Sequence, residues 1–443
     1  MRRRGSTHCK TRSLSSSHLR KAALGSVATL VVAVSGCASS GNSGAGNSGA
    51  SGSSGNSGGA IHIAMEAPYT GTFATLGESV WDGAKAGVAA INASGGILGR
   101  TVILDLVDDK GDPADAIPAI QREIAINHPV GIIGVLGNTI EAVQPVYDAA
   151  HIPFMSEAGN TNYDNSTDPY FFRVTPSDSQ LGVAMAAWAI KQNYKKCAGT
   201  FSTAGTVQEL ANVVEQTFVK NGGSITASVP LTPVQNSYSS EISRVIASHP
   251  SCVFLQTEPG SAGAYFHDFG QLGDANIPFI GSDITSGSDF LKAIGASFAH
   301  QHLLSVVGSS APGPGQATFV KYYLQQFHQQ PVSGANFAYD GVVSLALGID
   351  WAKTTSGPAV VKAIPETSDP PGQVVTTYAQ GLALIKQGTR INYRGASGPM
   401  QYNQYHNVFG PFDVVQAQPD GSLKTLYTLS ASQLQKISTG GGL

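Results

Sequence analysis

Between Tyr69 and Asp112 the hydrophobic period of the chain changes twice, and few folds accept that order. Val80, Trp81, Ala84, Val88 and Ile91 fall at helical spacing, which predicts a helix from about Glu78 to Ala93 with one buried face. Gly95 and Gly96 end it. Thr101 to Val107 then alternates and is rich in β-branched and aliphatic residues. The turn Lys110-Gly111-Asp112-Pro113 leads on to a second helical pattern at Ile117, Ile120 and Ile124. With Ile61 to Ala64 ahead of it, the segment reads as strand, loop, helix, strand, the opening of an open α/β sheet.

The same pattern recurs downstream. Val130 to Leu136 is a continuous apolar run, as expected of a central strand covered on both faces. It ends at Gly137-Asn138-Thr139, where Asn138 or Thr139 is a good N-cap for a helix carrying Ile140, Val143, Val146 and Tyr147. From Ser177 the pattern restarts: a helix with Leu181, Ala184, Trp188 and Ile190, then strands at Cys197–Phe201, Ser224–Val229 and Cys252–Leu255 separated by helices.

Several of these residues carry a family resemblance. The run Gly71 to Gly77, Asp82-Gly83-Ala84, Ile91 to Arg100, Asp108-Asp109, Tyr170 to Asp178 and Pro278 to Asp283 resembles, in order, the branched-chain amino-acid-binding proteins of ABC transporters, which are periplasmic-binding proteins of type 1. The resemblance implies two doubly wound parallel-sheet α/β lobes joined by three hinge crossovers. On that reading residues 60–176 with 307–400 form the first lobe and residues 177–306 with 401–443 the second. Helices at Gln316–Gln330 and Asn336–Lys353 belong to the first lobe, and the last crossing lies near Pro399 to Phe412. Three crossings let rigid lobes close on a small molecule while a few residues absorb the motion.

The N-terminus reads as an address. Seven Arg and Lys between Arg2 and Lys21, with no acid, precede an apolar stretch from Ala22 to Val34 that is short for a membrane span. Val34-Ser35-Gly36-Cys37 resembles a bacterial lipobox, with Val34 where Leu is more usual. Residues 1–36 are therefore expected to be a signal peptide and Cys37 a lipidated mature N-terminus; an ordinary signal peptide with an incidental cysteine is the alternative. The residues after the arginines do not support a twin-arginine signal. Residues 37–59 form the lipidated cysteine and a Gly/Ser/Asn tether, which cannot bury apolar surface. Its GxGxxG match at Gly44–Gly49 and its nucleophile-elbow match at Gly55–Gly59 lie between no strand and helix, so both are accidents of composition.

Cys197 and Cys252 open the first and third strands of the second lobe, which a doubly wound sheet makes neighbours. They are expected to lie close enough for a disulfide in an exported protein, with two reduced, buried thiols as the alternative. Cys9 leaves with the signal peptide.

Ligands of open α/β sheets collect at the carboxyl ends of strands. The first lobe offers Phe73 and Leu76, Asn138 and Thr139, and Ala158, Gly159 and Asn160; the second offers Thr206, Glu258 and Asp283. Proteins of the resembled family place a Ser-Pro-x-x-Thr pattern in the loop after Ser156. Here Glu157 replaces the proline and Asn160 stands near the threonine. Asp283 lies where the family sets an acid against a ligand's ammonium; a helix N-cap is its other reading. The family's aromatic pocket positions align with Leu76, Thr206 and Glu258, which points to a ligand larger or more cationic than leucine unless Glu258 merely faces solvent.

Only 12% of residues are charged and the net charge is −3, so no basic field attracts nucleic acid. The four cysteines show no CxxC, and no metal-ligand spacing, catalytic Ser/His/Asp order or phosphate loop is present outside the tether. His62, His128, His151, His249 and His302 are scattered. The expected protein is a non-enzymatic, monomeric, cofactor- and metal-free solute receptor on the outer face of the cell membrane, handing an amino acid or related amine or amide to an ABC permease. A ligand sensor signalling to a protein partner is the alternative.

Overall fold

The computed structural model describes residues 59–71, 73–272, 277–309, 313–332 and 334–441. The leader, Cys37 and almost all of the tether lie outside them. In the first lobe β1 (Ile61–Ala67), β2 (Val102–Asp108), β3 (Ile132–Gly134), β4 (Phe154–Ser156) and β5 (Phe171–Arg173) form a sheet in the order β2-β1-β3-β4-β5, every pairing parallel. The three inner strands β1, β3 and β4 are almost wholly buried, as strands covered by helices on both faces must be.

The second sheet contains β6 (Lys196–Ser202), β7 (Ser224–Leu231), β8 (Cys252–Gln256), β9 (Phe279–Gly281), β10 (Leu303–Gly308), β13 (Phe412–Ala417) and β14 (Leu423–Leu429). Its order is β14-β13-β10-β9-β8-β6-β7. β6 to β10 run parallel, whereas β13 and β14 add an antiparallel edge. The short pair β11 (Gln373–Val375) and β12 (Ile391–Tyr393) stands apart. Within the second sheet Cys197 lies opposite Cys252, and a disulfide joins them at a Cα–Cα distance of 4.6 Å.

The first helix runs from Ala74 to Ala93, four residues earlier at its start than periodicity predicts. Its opening turn carries the exposed Leu76 and Glu78, so no apolar stripe marks it in the sequence. The rest of the helix presents a face of small residues to the helix Ala335–Ala352. A Cβ on Gly83 would meet the Ala335 carbonyl oxygen at 1.9 Å, so only glycine permits this approach. The packed helices share one core with β1 and with Tyr402 and Val408. The chain therefore leaves the first lobe after Val408, later than the boundary at 400/401 drawn from sequence.

The crossings run side by side. Arg173 N donates to His406 O at 2.9 Å and Ser309 N to Pro411 O at 2.9 Å, so the third crossing is bonded to the other two. The histidines have a structural use: His128, His151 and His328 terminate their helices in the left-handed region, with φ of 49°, 55° and 55°. An imidazole there sits where the last helical carbonyls concentrate negative potential.

Candidate functional site

The carboxyl ends of the two sheets meet. Thr161, in the loop after β4, donates its hydroxyl to the carboxylate of Glu209, in the first turn of the helix Val207–Lys220 that follows β6. Beside this bridge, Asp178 N donates to Gly159 O at 2.8 Å. Asp178 opens the helix Asp178–Lys191, whose N-cap Ser177 accepts from Gln180 N.

The first-lobe residues expected at the site form a connected chain. Asn138 Nδ2 donates to Gly111 O at 2.7 Å, and Gly111 packs against the Phe73 ring, which a Cβ there would approach to 3.1 Å. Asn160 Nδ2 donates to Gly137 O at 3.1 Å, joining the loop after β4 to the loop after β3. Arg173 holds the other side of Asn160: Nη2 donates to the Asn160 carbonyl at 2.6 Å and Nη1 pairs with Asp164 at 2.6 Å, the guanidinium being wholly buried. Ser156 Oγ accepts from Ala158 N and donates to Val135 O, which fixes the same loop from below. Phe73 and Leu76, 47% and 54% exposed, stand at the rim.

Neither Asn138 nor Thr139 caps its helix through its side chain, contrary to the sequence expectation. The helix Ile140–Ala150 begins after Thr139, but the Thr139 hydroxyl, fully buried, donates to Asp109 Oδ2 at 3.1 Å. Donating to this buried carboxylate fixes the hydroxyl's rotamer toward Asp109 and away from the amides a cap would accept from.

In the second lobe Glu258 does not face outward. Ser202, the last residue of β6, donates its hydroxyl to the Glu258 carboxylate, and Ser202 Oγ in turn accepts from Ala204 N. Thr206 is the half-buried N-cap of Val207–Lys220, without a side-chain capping bond. Asp283 is the first residue of a 3-10 turn whose N-cap is Ser282, so it is not the cap the sequence offered as its other reading; its Oδ1 accepts from Ile284 N at 2.8 Å. The residue is exposed to water although protein atoms crowd around its carboxyl. That partial desolvation raises its pKa.

Sequence reasoning missed Asp178. Burial and then the charge of Asp283 push its carboxyl up to about 7. The charge of Asp283 therefore reaches Asp178, as does that of Arg173, and among the described residues neither acid forms an ion pair with Lys, Arg or His. The only hint was a capping signal, Ser177-Asp178, which describes countless helices. Glu209 and Arg173 were equally silent because their partners lie in other segments. Glu157, at the position of the family's proline, is pushed up to about 8 by burial. Asp178 and Glu157 thus bring raised carboxyls to the place where the sheets meet, beside the buried guanidinium of Arg173.

Comparisons with known proteins agree with this fold. Residues 60–421 match the model of a family described as periplasmic binding protein. The Leu/Ile/Val-binding protein BraC3 of Rhizobium johnstonii is 28% identical over 359 residues, covering 76% of this chain and 92% of that protein. The crystal structure of the leucine-binding protein LivK from Thermotoga maritima superposes with a TM-score of 0.68 at 19% identity, covering 84% of this chain and 99% of that one. LivJ from Streptococcus pneumoniae, solved in complex with isoleucine, gives 0.67 at 18% identity, with coverage of 84% and 99%. The chain belongs to the periplasmic binding protein family.

Proposed function

We propose that this protein captures a small solute bearing an ammonium or amine group between its two lobes and delivers it to an ABC permease from a lipid anchor at Cys37. The observation that carries the reading is the pair Asp178 and Asp283: the charge of one raises the other, Arg173 offsets Asp178 only in part, and among the described residues neither acid forms an ion pair. An ammonium placed between them would relieve their mutual repulsion and donate a charge-assisted hydrogen bond to each. Asn138, Gly159 and Asn160 would hold the rest of the solute from the first lobe, with Thr206 and Glu258 opposite. Relatives named as Leu/Ile/Val-binding support an amino-acid-like solute. Glu258 and the absence of rings at Leu76 and Thr206 favour a more cationic one than isoleucine.

A thermal-shift panel of aliphatic amino acids, basic amino acids, amines, amides and aromatic acids tests this. A solute that binds only the native state at about 100 times its Kd adds about 2.7 kcal/mol of stability. We expect basic amino acids or amines to give the largest shift and Asp283→Ala to abolish it. Tighter binding of isoleucine than of any amine would remove the cationic preference and leave the receptor. No shift with any class would point to a cleft that serves a protein partner. Mass spectrometry of the membrane-extracted protein reports whether Cys37 carries lipid, and an unmodified cysteine would remove the anchor.

A further inference from the structure

Glu66 is an acid in the middle of the first lobe. It lies on β1, between Met65 and Ala67, and is fully buried, as is Asp109 at the end of β2. Tyr147, on the helix Ile140–Ala150, donates its hydroxyl to Glu66 Oε2 at 2.5 Å. Glu66 Oε1 has no protein donor, although it is sealed from water. Glu66 pairs across the sheet with Val107, and Asp109, two residues on along the same strand face, donates its N to Ala67 O at 3.3 Å, which sets the Asp109 carboxyl beside Glu66 with the Thr139 hydroxyl bonded to it. Two buried carboxyls side by side cannot both be ionised; one proton between them satisfies the orphaned oxygen and halves the charge.

The rest of Asp109 is spent on the loops. Its Oδ1 accepts from Gly111 N at 2.8 Å and its Oδ2 from Thr139 at 3.1 Å. Gly111 in turn receives Asn138 and packs on Phe73. The loop after β2 and the loop after β3 therefore hang on one carboxylate, and that carboxylate is held in place by its neighbour. We propose that Glu66 and Asp109 share a single proton, and that this proton fixes the two first-lobe loops that carry Gly111, Asn138 and Thr139 in the cleft. Describing those loops as cleft-lining rests on the solute-receptor reading; the proton itself does not.

Among the described residues, the groups that act most strongly on the two acids are other acids, hydroxyls and a backbone amide. β2 contributes Asp108, and Ile140–Ala150 contributes Tyr147. β3 contributes no titratable group, being Ile132, Ile133 and Gly134. None of the leading influences on either acid is a cation. Burial, the largest of them, pushes Glu66 up to about 8 and raises Asp109 as well. Loss of the proton would leave two like charges side by side, and separating them would pull Asp109 away from Gly111 and Thr139.

Amide NMR of the whole protein, titrated from mildly acidic to alkaline pH, reads this directly. The Gly111, Asn138 and Thr139 amide signals should move together in one step near the pH at which Glu66 ionises, about 8. Glu66→Gln keeps the shape, accepts from Tyr147 and donates an amide hydrogen to Asp109, but cannot ionise; the step should vanish. Tyr147→Phe removes a donor that favours the ionised form, so the step should move to higher pH. A step that persists in Glu66→Gln, or no step in the wild type, would overturn the proposal. The melting temperature gives a second readout without any ligand. The native state holds a proton that the unfolded chain releases near the ordinary value of 4.5. Wild-type stability should therefore fall as pH rises from there to about 8, and Glu66→Gln should lose that slope. Failure of the solute panel would leave these titrations standing, and failure of the titrations would leave solute binding standing.

Discussion

The Gln180 side chain bonds to the third hinge crossing from the far side of the first: Nε2 donates to Val408 O at 3.0 Å, and Gly410 N donates to Oε1 at 3.3 Å. Both lobes thereby share a buried amide at the axis of any closing motion. Gln180→Ala would leave a carbonyl and an amide of the hinge without partners. Unsatisfied buried groups cost about 1–3 kcal/mol each. We expect a loss of that order in urea unfolding, together with altered solute affinity, because the hinge sets the balance between open and closed forms. An unchanged midpoint would mean water replaces the amide at no cost.

The pair Asp178 and Asp283 opposes stability to function. Asp178 carries its proton up to about 7 in the folded protein against an ordinary value of 3.8, so the folded state binds a proton that the unfolded chain has released across that window. Stability should fall as pH rises through it. Asp178→Asn, which removes the charge, should melt at higher temperature than the wild type above pH 7 while binding amines more weakly. In the wild type, amine affinity should rise as pH passes about 7 and Asp178 ionises. Melting curves and isothermal titration on either side of that pH check both signs; equal amine affinity in variant and wild type would remove Asp178 from the site.

Gly83 faces the start of the helix Ala335–Ala352, where a methyl group would collide with the Ala335 carbonyl at 1.9 Å. Backbone against backbone leaves no flexible side chain to yield. Gly83→Ala should cost about 1–3 kcal/mol or more, since overpacking outweighs the gain in helix propensity. Guanidinium unfolding measures it. A stabilised Gly83→Ala would show that the two helices can slide apart freely.

The disulfide between Cys197 and Cys252 spans a sequence separation of 55. Closing a loop of that length is worth about 4 kcal/mol on the chain-entropy model. Replacing both cysteines by Ser should lower stability by up to that amount, and free-thiol counting in the unfolded, unreduced wild type should find neither of the two.

How much of this was legible in the sequence depends on distance along the chain. The helix of Val80 to Ile91 and the strand of Ile132-Ile133 announced themselves because burial imposes a period on neighbours. The opening turn at Ala74 did not, since its side chains face water. Asn138, Asn160 and Asp283 could be named from the family pattern, yet what each one touches could not. Glu66 would read as an outward acid in an alternating strand. Only Tyr147, 81 positions away, and Asp109 reveal that it points inward. Asp178 stood in the sequence as the end of the family stretch Tyr170 to Asp178, and the charge of Asp283 that raises it comes from a distant segment. Motif order reports fold well, because packing is repetitive; the charge balance of a site arises from single encounters that leave no period.

The Cys197–Cys252 bridge fastens two adjacent strands of the second lobe and crosses none of the three hinge segments. Oxidation state and lobe movement are therefore mechanically independent. A reducing environment would shorten the lifetime of the receptor without retuning its grip, so loss of activity under reduction would report unfolded molecules and not weakened ones.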